Sequence, residues 1–182
     1  NLNASSVTAS AANNLSATGN VTSNTWGGGL IGYVSGPGGS VVSNNWTSSG
    51  NVTGNGGNAG GLIGEIYNVN VSNATSTAVT VNSSNANIGG LIGYSSYLTL
   101  VNGSTTANTQ GSESTVGGLI GKQEAYTVKN SSYIGASVVG QGYVGGLIGL
   151  YNGPGSSASN AVQGSYATTN ITASKDYVGG LI

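Results

Sequence analysis

The segment Gly-Gly-Leu-Ile decides the fold, and its first copy occupies residues 28–31. The six copies in the chain begin at Gly28, Gly60, Gly89, Gly117, Gly145 and Gly179. Successive copies are 32, 29, 28, 28 and 34 residues apart, and in the first five a further glycine follows the isoleucine. A period of this length without a helical pattern predicts a repeat array.

The repeats also align their apolar residues into columns. The leucines of the six motifs form one column, and the isoleucines beside them form a second. A third, mostly β-branched column precedes the motif and contains Gly27, Ala59, Ile88, Val116, Val144 and Val178. Stacking like residues along an axis buries each on its neighbours, which a single short repeat cannot achieve alone.

These columns predict an all-β protein, specifically a β-solenoid (β-helix) of about six coils of 28–34 residues. Residues 1–182 would form one repeat domain, with about three short strands in each coil and a length of roughly 29 Å. The glycine after each isoleucine is expected to supply a positive φ at a corner. Inserts around Pro37 and Pro154 both fall nine residues after the first glycine of their motif, which predicts loops at one common corner.

The composition excludes several kinds of function. Only 4% of the residues are charged, the net charge is −1, and there is no histidine or cysteine. Zinc or haem sites, thiol or Ser-His nucleophiles and disulfides are therefore excluded, and three cations do not neutralise a nucleic-acid backbone. No apolar stretch approaches the length that spans a membrane. We expect no nucleic-acid partner, no membrane span, no metal and no cofactor other than covalent glycans.

An enzymatic function is not expected either. The four acidic residues are Glu65, Glu113, Glu124 and Asp176. A glycosidase needs two facing carboxylates about 5 to 10 Å apart. Glu65 and Glu124 would lie two coils apart, with no obvious partner for either. We therefore predict that the chain has no catalytic residues.

Asparagine is the second prominent feature of the sequence. The sequon Asn-x-Ser/Thr occurs eleven times, about twice as often as the composition predicts by chance. Its asparagines are Asn3, Asn14, Asn20, Asn45, Asn51, Asn70, Asn73, Asn82, Asn102, Asn130 and Asn170. Such sequons accept N-linked sugar in secreted proteins, so all eleven are candidate glycosylation sites.

Nine of these asparagines fall into two columns. The first column lies 14 to 16 residues before the next motif and contains Asn14, Asn45, Asn73, Asn102 and Asn130. The second lies 7 to 9 residues before it and contains Asn20, Asn51, Asn82 and Asn170. The first column is either a hydrogen-bonded ladder at a corner or a row of glycans, and Asn160, which keeps the asparagine without the hydroxyl, favours the ladder. In the second column, polar and apolar residues alternate, which places the asparagines outside and accessible to sugar.

The motif also indicates a family. Gly-Leu-Ile-Gly within repeats of this length resembles the GLUG motif, which occurs in tandem in bacterial surface and secreted proteins, including some IgA-specific peptidases. The resemblance covers nearly the whole chain, although the sixth motif ends at Ile182 without its closing glycine. It implies an extracellular, non-catalytic repeat region and carries no functional residue with it. An extracellular or cell-surface location is therefore expected, and the excess of sequons agrees with it.

Both ends of the sequence resemble the interior of the array. Residues 14–22 align with residues 45–53, and the last residue falls inside a motif. A solenoid without caps exposes apolar columns and strand edges. We therefore expect copies of the chain to continue it end to end, in a tandem polypeptide or by subunit stacking. A fragment whose caps lie outside this sequence is the alternative.

The predicted function is thus a structural component of a glycosylated extracellular fibre. The alternative is an adhesin, or a repeat module that binds a carbohydrate or a receptor on a host surface. It is suggested by tyrosines that follow the motifs, namely Tyr33, Tyr67, Tyr94, Tyr97, Tyr126 and Tyr151. A stripe of these rings would stack on sugars or contact a partner, whereas packing between coils would explain them without any ligand.

Overall fold

The structure is a computed structural model that describes residues 2–3, 13–36, 42–112, 115–153, 162–175 and 177–182. It confirms the β-solenoid. The strands form five sheets, here named A to E, and each strand pairs in parallel with the equivalent strand of the neighbouring coil. One coil passes through sheets C, D, E, A and B in that order. The described chain makes five complete turns and begins a sixth, close to the predicted six.

Sheets A and B follow the motif. Sheet A contains Leu2–Asn3, Ile31–Ser35, Ile63–Tyr67, Ile92–Ser96, Ile120–Glu124 and Ile148–Asn152. Sheet B contains Val42–Asn44, Asn70–Ser72, Thr99–Val101, Val128–Lys129 and Val162–Gln163. Apart from Leu2–Asn3, each strand of sheet A has five residues, which makes these the longest strands of the coil.

Sheets C, D and E complete the coil. Sheet C contains Ser16–Thr18, Thr47–Ser49, Thr75–Ser76, Ser104–Thr105, Ser132–Tyr133 and Tyr166–Ala167. Sheet D contains Val21–Ser23, Val52–Gly54, Thr80–Ser83, Asn108–Gly111, Ser137–Gly140 and Asn170–Ala173. Sheet E contains Gly27–Gly28, Ala59–Gly60, Ile88–Gly89, Val116–Gly117, Tyr143–Gly145 and Tyr177–Gly179.

The prediction of about three strands in each coil is wrong, since each complete coil has five. Corners are more frequent than expected because asparagines and glycines with positive φ end the strands after a few residues. The inserts around Pro37 and Pro154 lie outside the described residues. The strands that flank each insert belong to sheets A and B, so both inserts interrupt the chain between the same two sheets.

The predicted apolar columns form the core. Leu62, Leu91, Leu119 and Leu147 are fully buried, as are the isoleucines that follow them. The column before the motif is also confirmed, because Ile88 pairs with Ala59 on one side and with Val116 on the other. The leucine and isoleucine of one motif both point inward because they lie at the corner between sheets E and A, where the strand alternation is interrupted.

Hydroxyl side chains on the inner face of sheet C pack against the glycines of the motif. Ser48 donates a hydrogen bond of 2.6 Å to the carbonyl oxygen of Gly61. Thr105 donates one of 3.0 Å to the carbonyl oxygen of Gly90 in the same way. Both hydroxyls are buried. The core therefore contains polar groups, and each of these two has a partner.

The motif glycines are required because the backbones of neighbouring coils approach closely. A Cβ on Gly60 would lie 2.7 Å from the backbone nitrogen of Gly93 in the next coil, and a Cβ on Gly93 would lie 2.6 Å from the carbonyl oxygen of Gly64 in the preceding coil. The turn of the motif itself adds a second restriction, because the Cβ on Gly60 would also lie 2.0 Å from the carbonyl oxygen of Ile63 in its own coil. The expectation that the glycine after the isoleucine has a positive φ is wrong. The described glycines with positive φ are Gly19, Gly50 and Gly164, outside the motifs. Space, and not backbone conformation, excludes a side chain here.

This close approach predicts a large effect of one methyl group. Gly60→Ala should destabilise the chain by about 3 kcal/mol or more, because its Cβ overlaps backbone atoms that cannot move independently. Thermal unfolding followed by circular dichroism measures the loss. Gly56→Ala is the control, since the nearest atom to its Cβ is the Asn24 carbonyl oxygen at 3.8 Å. Equal melting temperatures for the two variants would contradict this explanation.

Candidate functional site: asparagine ladders and an aromatic face

The first asparagine column lies at the corner between sheets B and C. All five of its members have a positive φ, between 48° and 60°. Asparagine tolerates this left-handed conformation better than other residues with a side chain, apart from aspartate. The residue type is therefore dictated by the turn, independently of any sugar.

The side chains of this column bond along the axis, as the ladder hypothesis predicts. Asn45 Nδ2 donates to Asn14 Oδ1 at 3.0 Å, and Asn102 Nδ2 donates to Asn73 Oδ1 at 2.9 Å. One rung is displaced, because Asn73 Nδ2 donates at 2.6 Å to Asn44, the residue before Asn45. A sugar on any of these nitrogens would replace a hydrogen on an atom that the ladder already uses.

The assignment of Asn160 to this column is wrong. Val128 pairs with Val162 and Lys129 with Gln163, so Gly164 is the residue equivalent to Asn130. Gly164 has a φ of 55°, within the range of the asparagines. Glycine adopts this conformation without strain. Asn160 itself lies outside the described residues.

Two substitutions at Asn102 separate its tolerance of a positive φ from its side-chain hydrogen bond. Asn102→Ala should cost about 2 kcal/mol, because alanine is strained at this φ and the bond to Asn73 is lost. Asn102→Gly loses the same bond without the strain and should cost clearly less. Urea unfolding of both variants measures the difference. Equal losses would show that the backbone conformation does not select asparagine here.

The second asparagine column lies at the start of sheet D, where its members bind the backbone of the next coil. Asn20 Oδ1 accepts the N–H of Asn51 at 2.9 Å, and Asn51 Oδ1 accepts the N–H of Thr80 at 3.2 Å. Asn108, which sequence reasoning missed because no sequon contains it, accepts the N–H of Ser137 in the same way at 3.2 Å. In the part of the chain that the structure describes, the Nδ2 atoms of Asn20 and Asn51 donate no hydrogen bond.

The placement of Asn82 in this column is wrong. Asn82 pairs with Thr53, so Thr80 is the residue aligned with Asn51. Asn82 lies two residues further along the strand, which keeps its side chain on the outer face because strands alternate with a period of two. The inward position between them is filled as predicted, since Val52 and Val81 are fully buried.

Two of the remaining sequons, at Asn70 and Asn3, belong to neither column. Asn70 begins a strand of sheet B and is half-buried. Asn3 lies in the strand Leu2–Asn3, and its side chain lies outside the described residues. Asn170 keeps its predicted place in the second column, because it pairs with Ser137, which is aligned with Asn108, and it is exposed at the start of its strand in sheet D.

A third ladder lies before sheet E and was not predicted. Asn87 Nδ2 donates to Asn58 Oδ1 at 2.8 Å, and Thr115 donates to Asn87 Oδ1. Asn58 Nδ2 in turn donates to Glu65 Oε2 at 2.7 Å. The sequence contains a signal for this ladder, because Asn58, Asn87 and Thr115 each lie two positions before the first glycine of a motif. None of the three belongs to a sequon.

Five of the six tyrosines that follow the motifs form two groups on one side of the solenoid. The sixth, Tyr151, is aligned with the buried Gln123 and packs partly against the core. Tyr33 and Tyr94 lie in one outward column of sheet A, in which Glu65 separates them and Lys122 follows. Tyr67, Tyr97 and Tyr126 lie at the following corner and are 43%, 45% and 49% exposed. The Trp26 ring packs at 5.1 Å on that of Tyr33. The aromatic face is defined here as Trp26, Tyr33, Tyr67, Tyr94, Tyr97 and Tyr126 together with Glu65, Lys122 and Glu124.

Three of the polar groups on the aromatic face bind one another. Glu124 accepts a hydrogen bond of 2.7 Å from the Tyr94 hydroxyl and forms a 2.7 Å ion pair with Lys122. The Lys122 ammonium and the Tyr94 hydroxyl, in that order, lower the pKa of Glu124. Burial, followed by the bond to Glu124, raises the pKa of Tyr94 to about 12. Glu124 is therefore a charged acceptor and Tyr94 a neutral donor over the ordinary pH range.

The predicted positions of Glu65 and Glu124 are confirmed, but the expectation that neither has a partner is wrong, because Glu124 binds Lys122 and Tyr94 and Glu65 binds Asn58. Glu65 and Glu124 lie two coils apart, and they occupy different columns of sheet A. Glu113 and Asp176 lie outside the described residues. Among the residues that the structure does describe, there is no cluster of three or more metal-ligating side chains.

Comparisons with known proteins do not assign the chain to a family. No family model matches the sequence, and no curated protein is significantly similar to it. Within the described ranges, no helix is long and apolar enough to cross a membrane.

Proposed function

We propose that the chain is a non-catalytic, GLUG-type structural module of an extracellular, glycosylated fibre, in which further coils of the same kind stack on its ends. The coils supply the repeating unit of such a fibre, since each contacts its neighbours through the same apolar columns and parallel backbone bonds. The added coils belong either to the same polypeptide or to another copy.

The exposed apolar groups of the last coil are the observation that carries this proposal. Val178 is 53% exposed and Leu181 is 38% exposed, whereas their equivalents Val144 and Leu147 are 1% and 0% exposed. Covering such side chains contributes about 1.5–3 kcal/mol each when burial is complete. A further coil would cover them in the manner of every internal interface.

The surface composition supports an extracellular glycoprotein. With 4% charged residues, the chain lacks the charges that commonly prevent association, and neutral polar groups must replace them. N-linked glycans would serve this purpose. In sheet D they are compatible with the structure, because Asn20 uses only its Oδ1 in binding the next coil.

End-to-end stacking is tested by a methyl group at Gly180. A Cβ on the equivalent Gly146 would lie 2.2 Å from the carbonyl oxygen of the next coil, but a Cβ on Gly180 has nothing within 4 Å. Gly180→Ala should therefore fold with an unchanged melting temperature and yet block a following coil. The unsubstituted chain should form rods longer than roughly 29 Å, the length of six coils, in electron micrographs, and Gly180→Ala should not.

A second pair of variants controls for solubility. Val178→Lys should also prevent elongation, because it places a charge on the stacking surface. Val79→Lys, at a side chain that is 64% exposed and remote from that surface, should leave elongation unchanged. Sedimentation velocity measures all four chains. Elongation of Gly180→Ala to the extent of the unsubstituted chain would refute stacking.

Glycosylation is tested by secreting the chain from a host that attaches N-linked sugar. We expect sugar at Asn20 and Asn170, which are exposed, and little at Asn45 and Asn102, whose Nδ2 atoms donate within the ladder. Peptide mass mapping locates the modification. Thr22→Ala removes the sequon at Asn20 but keeps the bond from the Asn51 N–H to Asn20 Oδ1, so the sugar should be lost without unfolding. An intact mass equal to that of the bare polypeptide would refute the proposal.

A further inference from the structure

The aromatic face differs in chemistry from the other outer faces. Seven of the twelve aromatic residues lie on or beside sheet A. By contrast, outward positions of sheet C are occupied by hydroxyl residues such as Thr47, Thr75 and Ser104, which pair along the axis. Glu65, Lys122 and Glu124 share the aromatic face, in a chain with seven charged residues in all. This face therefore combines most of the aromatic rings with three charged side chains.

Three tyrosine rings follow the solenoid axis on this face. The ring centroids of Tyr67 and Tyr97 are 5.6 Å apart, and those of Tyr97 and Tyr126 are 5.7 Å apart. Each ring is supplied by one coil, so along the axis they repeat at the coil spacing of about 4.8 Å. That is close to the length of one sugar residue in an extended polysaccharide. The rings meet at 83° and 62°, so they follow a twisted single chain better than a flat crystalline surface.

Two of these tyrosines hold strained backbone conformations. Tyr97 has a φ of 55° and Tyr126 a φ of 70°. For a bulky residue this conformation is unfavourable. At the Tyr97 position folding does not require tyrosine, because Asn68 and Ala125 bind the coil after them in the same way and turn the same corner with φ values of 57° and 59°. Backbone strain at a residue type that folding does not require indicates a functional role for that side chain.

The charges of the face select the type of ligand. Glu124 is paired with Lys122, while Glu65 accepts a hydrogen bond from Asn58 and leaves the face with a net negative charge. Anionic sugars are therefore disfavoured. Carboxylates and tyrosine hydroxyls beside exposed rings suit the hydroxyl groups and apolar ring faces of neutral sugars.

We propose that the aromatic face binds a neutral, β-linked polysaccharide chain that lies along the solenoid axis across Tyr67, Tyr97 and Tyr126. Each ring contacts one sugar residue, and Glu65 and Glu124 accept hydrogen bonds from sugar hydroxyls. This function is independent of end-to-end stacking and of the glycans that the chain itself carries.

Titration with β-1,4-linked hexasaccharides of glucose and of N-acetylglucosamine tests the site. Calorimetry and saturation-transfer NMR should show binding of at least one hexasaccharide, with an affinity at least tenfold higher than that of its disaccharide, because the disaccharide spans fewer rings. Tyr97→Asn, which installs the residue found at position 68, should lower the affinity at least tenfold. Its folding should be retained, as judged by an unchanged circular dichroism spectrum.

Tyr166→Asn is the matched control, because Tyr166 is similarly exposed, at 52%, but lies in sheet C. It should bind the hexasaccharide like the unsubstituted chain. Retention of full affinity by Tyr97→Asn would overturn the proposal. So would a preference for a uronic acid hexasaccharide, or an absence of binding to both neutral hexasaccharides.

Discussion

The whole structure depends on how closely the backbones of neighbouring coils approach at the Gly-Gly-Leu-Ile motif. A Cβ on Gly60 or Gly93 would overlap backbone atoms, so glycine is the only residue that fits at these points. The approach lets adjacent coils exchange backbone hydrogen bonds, such as that of 2.9 Å from Leu91 to Leu119. It also places each leucine and isoleucine directly on the next, which completes the burial of the core.

Polar side chains supply the hydrogen bonds that the backbone of the motif does not make by itself. The inner face of sheet C carries hydroxyl residues where the glycines expose backbone carbonyls, and Ser48 and Thr105 bind these oxygens directly. Tyr133 occupies the same column one coil further on and reaches the carbonyl oxygen of Ala107 at 2.9 Å. Outside the core, asparagines at the corners bond from coil to coil. A chain with very few charges is thus held together by neutral hydrogen bonds along its axis.

Much of this arrangement was predictable from the sequence. The six motifs fix the period, and the leucine, isoleucine and β-branched columns follow from alignment alone. The number of strands in each coil did not follow, because a positive φ at Asn45 or Asn102 leaves no mark in hydrophobic periodicity. The prediction for Asn82 was wrong because the column was defined by a distance of 7 to 9 residues from the motif, which allows an error of two residues. A shift of two residues keeps a side chain on the same face of a strand, so the alternation of polar and apolar residues does not reveal it. The strain at Tyr97 is a property of the backbone and needed coordinates.

The direction of the backbone hydrogen bonds has a mechanical consequence. They run parallel to the solenoid axis, so a pulling force along that axis loads the bonds of every interface between coils equally. The coils separate at whichever interface yields first, and lengthening the solenoid adds reach without adding tensile strength. Bending across the axis compresses one side of the leucine and isoleucine stack, where close-packed side chains resist strongly, and stretches the hydrogen bonds of the opposite side. A bent solenoid therefore opens first on its stretched side, while the compressed side of the core holds.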